Sequence, residues 1–152
     1  MINIVFNENF LGSVDPDVLE KTAYKALKNQ HRDEEVDISI AIEDDAVLKT
    51  LNLQFLGIDN PTDVLSFPSE EMDPDTGHFY LGDIIVSLPT ASVQASAAGH
   101  PLQNEIQLLV VHGVLHLLGY DHTTPKLKSE MWSLQAQILQ DLAVKINKLP
   151  ED

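Results

Sequence analysis

The stretch HGVLHLLGYDH places three histidines at fixed spacing in a largely apolar segment. His112 and His116 are four residues apart, so a helix puts them one turn apart on the same side. Gly119 is suited to end that helix, because glycine adopts the left-handed conformation without steric cost, and the chain can then turn so that His122 faces the other two. Neutral imidazole is a common zinc ligand, and three protein ligands leave a fourth position for water. The spacing therefore predicts a catalytic site with one Zn²⁺ ion held by His112, His116 and His122.

A histidine on an apolar helix has a second interpretation, as a core residue that is satisfied by one hydrogen bond. A lone histidine would favour that interpretation. Three clustered imidazoles must be satisfied together, because unpaired polar groups are costly to bury, and a metal ion satisfies all three. The metal site is therefore the favoured interpretation.

The same spacing matches H-E-x-x-H-x-x-G-x-x-H, the pattern of the metzincin proteases, except at one position. Gly113 stands where that pattern has a glutamate. In those enzymes the glutamate is the general base that activates the zinc-bound water, and glycine cannot accept a proton. Peptide hydrolysis is thereby disfavoured, and a zinc hydrolase of another class, metalloproteases included, remains an alternative.

Apolar periodicity, capping residues and turn residues predict the elements that position these histidines. Strands are expected at residues 2–6, 36–44, 64–67 and 81–88, with an acidic loop at 70–77. Asp15 with Pro16 opens a first helix, and Asp44 with Asp45 opens a second. Further helices are expected at 102–118, which is apolar on nearly every face, at 125–148, and briefly at 91–98. This order predicts a single α+β domain over residues 1–152: a small mixed sheet of about four strands packed with helices, with a zinc-hydrolase-like site on a buried helix.

The composition limits the class of protein. The 152 residues are 43% hydrophobic, a share typical of a globular domain with a real core. There is no cysteine, which excludes disulfides and cysteine-ligated zinc. The N-terminal segment has neither a basic region nor a cleavable apolar run, and no stretch approaches a membrane span. With a net charge of -15, we expect a soluble cytoplasmic protein that binds neither membrane nor DNA through charge.

Beyond the histidine stretch, three further segments carry a resemblance to a known family. PTDVLSFP at residues 61–68, LGDIIVS at 81–87 and the helix opening at Glu105 occur in order with HGVLHLLGYDH. Together they resemble the YbeY family of bacterial endoribonucleases, also called rRNA maturation factors, over about residues 52–131.

The resemblance implies a cytoplasmic, metal-dependent endoribonuclease that is specific for single strands. Members act in ribosomal RNA maturation, notably at the 3′ end of the small-subunit RNA, and in ribosome quality control. The implied partners are single-stranded ribosomal RNA, the small ribosomal subunit and assembly proteins. The family's zinc ligands correspond to His112, His116 and His122.

One position departs from the family pattern. Members usually read N-x-x-Y-R before the PTDVLSFP block, and the arginine is held to be important for activity. Here the segment runs from Asn52 to Phe55 and Leu56. Leucine can neither clamp a phosphate nor stabilise developing negative charge. The alternative to an active nuclease is therefore a weakly active or inactive ribosome-assembly factor.

Four other side chains are candidates for the reaction, each with a structural alternative. Asp121 adjoins His122 and could hold a ligand imidazole in place, or only form the turn. Asp63 and Ser66 could line the site, or be a local turn or cap residue and a surface strand residue, respectively. Asp83 is unusual inside a strand, and a place near the site and a structural one are both open.

The remaining polar residues are given structural rather than catalytic interpretations. Glu105 lies two turns, about 10 Å, from His112, so we interpret it as an N-terminal helix charge favoured by the dipole. Solvation is expected for three histidines and an acidic run: His31, His78, His100 and residues 33–35. The chain has nine lysines and arginines, none between residues 52 and 122. We therefore expect weak binding to naked RNA, through about one to three phosphates, and recruitment by protein partners.

Overall fold

Four strands form one mixed sheet in the computed structural model, which describes residues 1–33 and 36–150. They are β1 (Ile2–Phe6), β2 (Val36–Glu43), β3 (Val64–Met72) and β4 (Phe79–Ser87), in the order β1-β2-β4-β3. The first two and β4 run parallel, whereas β3 is antiparallel to β4. The predicted mixed sheet of about four strands is confirmed.

Five helices accompany the sheet: α1 (Pro16–Asn29), α2 (Asp45–Leu56), α3 (Leu88–Ala98), α4 (Leu102–Leu117) and α5 (Pro125–Asp141). The two predicted aspartate caps are present, since Asp15 accepts from the Asp17 N–H and Asp44 from the Val47 N–H. These bonds satisfy amide groups that have no partner inside the helix. The α+β class is therefore as the sequence predicted.

Helix α4 is the centre of the core. It packs against α1, α3, α5 and the sheet, and every residue from Glu105 to Val111 is buried. The Ser66 hydroxyl donates to the Gly113 carbonyl, which places α4 on the face of β3 that carries Ser66. The next residue, Phe67, points to the other face and stacks at 5.1 Å on Phe55 of α2. One helix therefore covers the second face of the sheet near β3.

Two predicted boundaries were wrong. Helix α5 ends at Asp141 rather than near 148, because the chain turns at Ala143, whose φ is +57°, and the Val144 N–H returns to the Leu139 carbonyl. Strand β3 continues through the first part of the expected acidic loop, with Glu71 paired to Tyr80. Charged residues are tolerated there because β3 is an edge strand with exposed side chains. Within the described part of the chain, no helix is long and apolar enough to cross a bilayer.

Candidate metal centre

Three imidazoles converge where α4 ends. Their ligand atoms, on His112, His116 and His122, all lie within 4.8 Å of one another. The turn that brings in His122 begins at Gly119, whose φ of +101° is the left-handed conformation that favours glycine. The sequence spacing therefore predicted the convergence of this three-histidine cluster.

A glutamine from α5 orients the first of these rings. Gln135 is buried, and its Oε1 lies 3.0 Å from Nδ1 of His112. A carboxamide oxygen can only accept, so Nδ1 carries the hydrogen and the Nε2 lone pair of the neutral ring is directed elsewhere. That Nε2 lies 3.0 Å from Nε2 of His116. A metal-ligating histidine is typically held by such a partner on its other nitrogen.

The surroundings of the second ring favour its neutral form. Burial of the ring, and then the neighbouring His122, hold the pKa of His116 below its ordinary value. A neutral imidazole is the form that binds a metal ion. Three imidazole nitrogens within reach of one point fit a borderline divalent cation, so the cluster could hold a metal.

An aspartate contacts the backbone of the turn after α4. The Asp121 carboxylate accepts the backbone N–H of His122 at 2.7 Å. The contact lies in the loop that carries the third ring, and it is made to the backbone rather than to the imidazole. Asp121 also opposes, more weakly, the lowering of the His116 pKa.

The glycine that replaces the protease glutamate is required by packing. A Cβ atom at Gly113 would lie 2.8 Å from Cγ2 of Ile84, which is buried in β4. A side chain at this position would be forced into the sheet. The fold therefore excludes a general base at residue 113 for a steric reason that the sequence comparison did not reveal.

The cluster opens into a cavity of about 810 Å³. Helix α4, strand β3, helix α5 and the end of α2 all contribute to its wall. Three of the four candidate side chains line it, Asp63, Ser66 and Asp121, and so does Leu56. The position that departs from the family pattern therefore faces the same space as the three histidines.

Asp63 has an unusual environment on this wall. Its carboxylate accepts from the Gln94 side chain at 3.1 Å and from the Thr62 hydroxyl at 3.4 Å. Burial raises the pKa of Asp63, and the negative charge of Glu105 raises it further, although hydrogen bonds partly oppose the shift. A carboxyl group that gains a proton more readily than usual, on the wall of the cavity that the three imidazoles also line, is suited to proton exchange.

Asp83 lies elsewhere. It pairs with Phe67 in the sheet and so shares the face opposite to Ser66 and the cavity. Its carboxylate accepts from the Tyr80 hydroxyl, which also contacts Ser39. The structure therefore places Asp83 in a polar group on the outer face of the sheet.

The prediction that His100 is solvated was wrong, whereas Glu105 lies in the first turn of its helix, as the sequence indicated, but is buried. The Glu105 side chain is fully buried and the His100 side chain is 2% exposed, with Nε2 of His100 at 2.6 Å from Oε1 of Glu105. The backbone N–H of Asn147 donates to Nδ1 of His100, so Nε2 carries the hydrogen and donates to Glu105. The segment after α5 covers this pair. Its Asn147 is 47 residues from His100 in sequence, so the sequence around His100 does not predict the burial. By contrast, His31 is exposed, whereas His78 is half-buried against Asp37 at 3.2 Å.

Gln94 links this buried pair to the cavity. Its side-chain nitrogen donates to Asp63 and also contacts Glu105 at 3.4 Å. Neither Gln94 nor Gln135 was expected from the sequence, because a glutamine on a helix carries no local signal of its distant partner. In the expected acidic run, Asp33 is half-buried, and residues 34 and 35 lie outside the described part of the chain.

Comparisons with known proteins add to this geometry. The Endoribonuclease YbeY family model matches residues 6–143. Endoribonuclease YbeY of Corynebacterium kroppenstedtii is 39% identical over 145 residues, covering 90% of this chain and 72% of the relative. Endoribonuclease YbeY of Persephonella marina is 41% identical over 131 residues, covering 86% and 85%.

The fold has a similar solved structure. The solution structure of TM1509 from Thermotoga maritima matches with a TM-score of 0.58 at 28% identity, covering 94% of this chain and 92% of that one. Sequence and fold are therefore both similar to known proteins over most of the chain.

Proposed function

The chain belongs to the YbeY family of endoribonucleases, and on that premise we propose that residues 1–152 form one domain that cleaves single-stranded RNA with a zinc ion. The observation that carries this proposal is the three-histidine cluster at the wall of a cavity. His112, His116 and His122 would hold the ion. When bound, zinc supplies a water molecule of lowered pKa and a positive charge for a phosphoryl oxygen.

The other residues of the cavity have separate tasks in this proposal. Gln135 holds the His112 ring in the tautomer that directs Nε2 to the cluster. Asp121 holds the backbone of His122. Asp63 exchanges a proton with an attacking or leaving oxygen through its carboxyl group, supported by Gln94. Ser66 ties β3 to α4 through the Gly113 carbonyl.

The biological substrate in this proposal is ribosomal RNA. The domain acts at the 3′ end of the small-subunit RNA and in ribosome quality control, with the small ribosomal subunit and assembly proteins as partners. Family membership supports this role. The high acidity of the chain supports recruitment through proteins rather than through RNA charge alone.

The test compares three substrates for the zinc-loaded protein: single-stranded RNA, duplex RNA and casein. Cleavage of the single strand alone is expected, and the His116→Ala variant is expected to lose it. Cleavage of casein but not of RNA would identify a zinc hydrolase of another class. A precursor of small-subunit RNA, given free and within ribosomal particles, then tests the maturation role.

A weakly active assembly factor is the second candidate, because Leu56 lines the cavity where the family has an arginine. The Leu56→Arg variant is expected to raise kcat/KM on single-stranded RNA by up to about 100-fold, the scale of one electrostatic donor. Leu53→Arg is the matched control, since Leu53 is exposed on the same helix. An unchanged rate in folded, zinc-loaded Leu56→Arg would show that an arginine here contributes nothing.

A further inference from the structure

The wall of the cavity is poorly suited to a polyanion. Two carboxylates line it, Asp63 and Asp121. Among the lining residues that the structure describes, there is no lysine or arginine. Apart from the proposed zinc ion, positive charge for the RNA strand therefore has to come from a residue just beyond the wall.

One lysine is held beside the cluster by an aromatic ring. Trp132 of α5 lines the cavity, and its ring centre lies 5.6 Å from that of His112 and 5.3 Å from that of His122, nearly perpendicular to both. The Nζ atom of Lys128 lies 5.3 Å from the centre of the same indole ring. The tryptophan is therefore the direct neighbour of both the lysine and two of the three histidines.

Two features of helix α5 favour an anion-binding role for this lysine: its contact with Trp132 and its position in the first turn. Lys128 is half-buried and lies one helical turn before Trp132, so the ammonium group can rest against the indole face, which attracts cations. It also lies in the first turn of α5, after the Thr124 cap. The positive end of the helix dipole adds to the attraction for an anion there. Lys126, two residues earlier, is exposed, and within the described part of the chain its ammonium group does not lie over an aromatic ring.

We propose that Lys128 binds a phosphate of the RNA strand beside the one at the three-histidine cluster, and supplies the cation that residue 56 does not. This rests on the proposed function and specifies how the same site holds its substrate. Trp132 sets the distance between the ammonium group and the rings. The substrate is a strand that places neighbouring phosphates at the cluster and at Lys128.

The test uses three full-length variants: Lys128→Gln, Lys128→Arg and the matched control Lys126→Gln. Lys128→Gln is expected to lower kcat/KM on a single-stranded oligoribonucleotide about 10-fold, with unchanged zinc content and thermal unfolding. Binding to a fluorescent oligoribonucleotide, measured with and without zinc, is expected to have a salt slope smaller by about 0.7, the value for one lost contact on a single strand. Lys128→Arg is expected to retain wild-type behaviour.

The controls separate this proposal from the function on which it rests. Equal losses in Lys126→Gln and Lys128→Gln would show a general charge effect and overturn it, as would no loss in Lys128→Gln. If the wild-type protein binds the oligoribonucleotide without cleaving it, the proposed function is wrong. The salt slopes of wild type and Lys128→Gln then still test whether Lys128 contacts a phosphate. A wild-type protein that neither binds nor cleaves RNA overturns both.

Discussion

At the N-terminal end of α4, the His100 imidazole is enclosed by protein groups on both nitrogens, whereas at the C-terminal end three imidazoles face one another beside a cavity. His100 accepts from a backbone amide and donates to Glu105. In the three-histidine cluster, Nε2 of His116 faces Nε2 of His112 at 3.0 Å.

The difference shows how to separate a structural histidine from a ligand. Both groups lie on or against an apolar helix, so local hydrophobicity does not distinguish them. A ring with an acceptor and a donor of its own needs nothing further. Rings whose nitrogens converge on one another are satisfied best by a shared cation.

The largest effect is expected from removal of a ligand. His112→Ala, His116→Ala or His122→Ala should weaken zinc binding by roughly 1,000-fold, because few ligands share a binding free energy that is about 10–16 kcal/mol even for structural zinc with four protein ligands. Competition with a chelator measures the affinity, and elemental analysis measures the zinc content. His31→Ala, at an exposed position, should behave as wild type. Full stoichiometric zinc in all three single variants would end the metal assignment.

At the N-terminal end of α4, a change in the His100–Glu105 pair should alter the stability of the protein rather than its zinc binding. Glu105→Ala should lower the free energy of unfolding by about 2–3 kcal/mol, because the buried Nε2–H of His100 loses its acceptor. Urea unfolding measures this loss, with Gln103→Ala as an exposed control on the same helix. Zinc content per folded molecule should not change. A loss of zinc without a loss of stability would contradict the division between the two ends.

A change at Gln135, which contacts the His112 ring, should weaken zinc binding less than the loss of a ligand does. Gln135→Leu removes the acceptor that sets the tautomer, and should weaken zinc binding by about 10- to 100-fold. Gln137→Leu is the control, since Gln137 is exposed on the same helix. Equal affinity in Gln135→Leu and wild type would mean that the ring is oriented by other contacts.

The smallest effect is expected at Asp63, and it should depend on pH. Its pKa is raised in the folded protein, chiefly by burial, so the ionised form is less favourable there than in the unfolded chain. That cost is complete above the folded pKa and vanishes below the unfolded pKa, near 3.9. Asp63→Asn should therefore be more stable than wild type at neutral pH, and the difference should narrow as the pH falls toward 4.

Urea unfolding over a pH series tests this expectation. Asp75→Asn, at an exposed position, is the control for the loss of one surface carboxylate. If the free energies of unfolding of Asp63→Asn and wild type differ by the same amount at every pH, ionisation of Asp63 has no cost in the folded protein. If the wild type is the more stable of the two at neutral pH, ionised Asp63 stabilises the fold and the prediction is wrong.

Much of the fold could be predicted because its signals are local. The Asp15 and Asp44 caps, the alternation in β2 and the apolar run of α4 each depend on residues within a few positions. The end of α5 could not be predicted in the same way, because Val144 and Ile146 continue the apolar pattern while the chain turns at Ala143 to pack against the core.

The sequence alone determined the three-histidine cluster, since helical spacing and one left-handed glycine place those rings together whatever surrounds them. The partners of the cluster depended on the tertiary structure: Gln135 lies 23 residues beyond His112, and Asp63 and Leu56 reach the cavity from other elements. Tertiary packing likewise made Glu105 and His100 a buried pair, where the sequence predicted a charge at a helix N-terminus and a solvated histidine. Contacts between distant segments are set by packing and desolvation, which no short window of sequence contains.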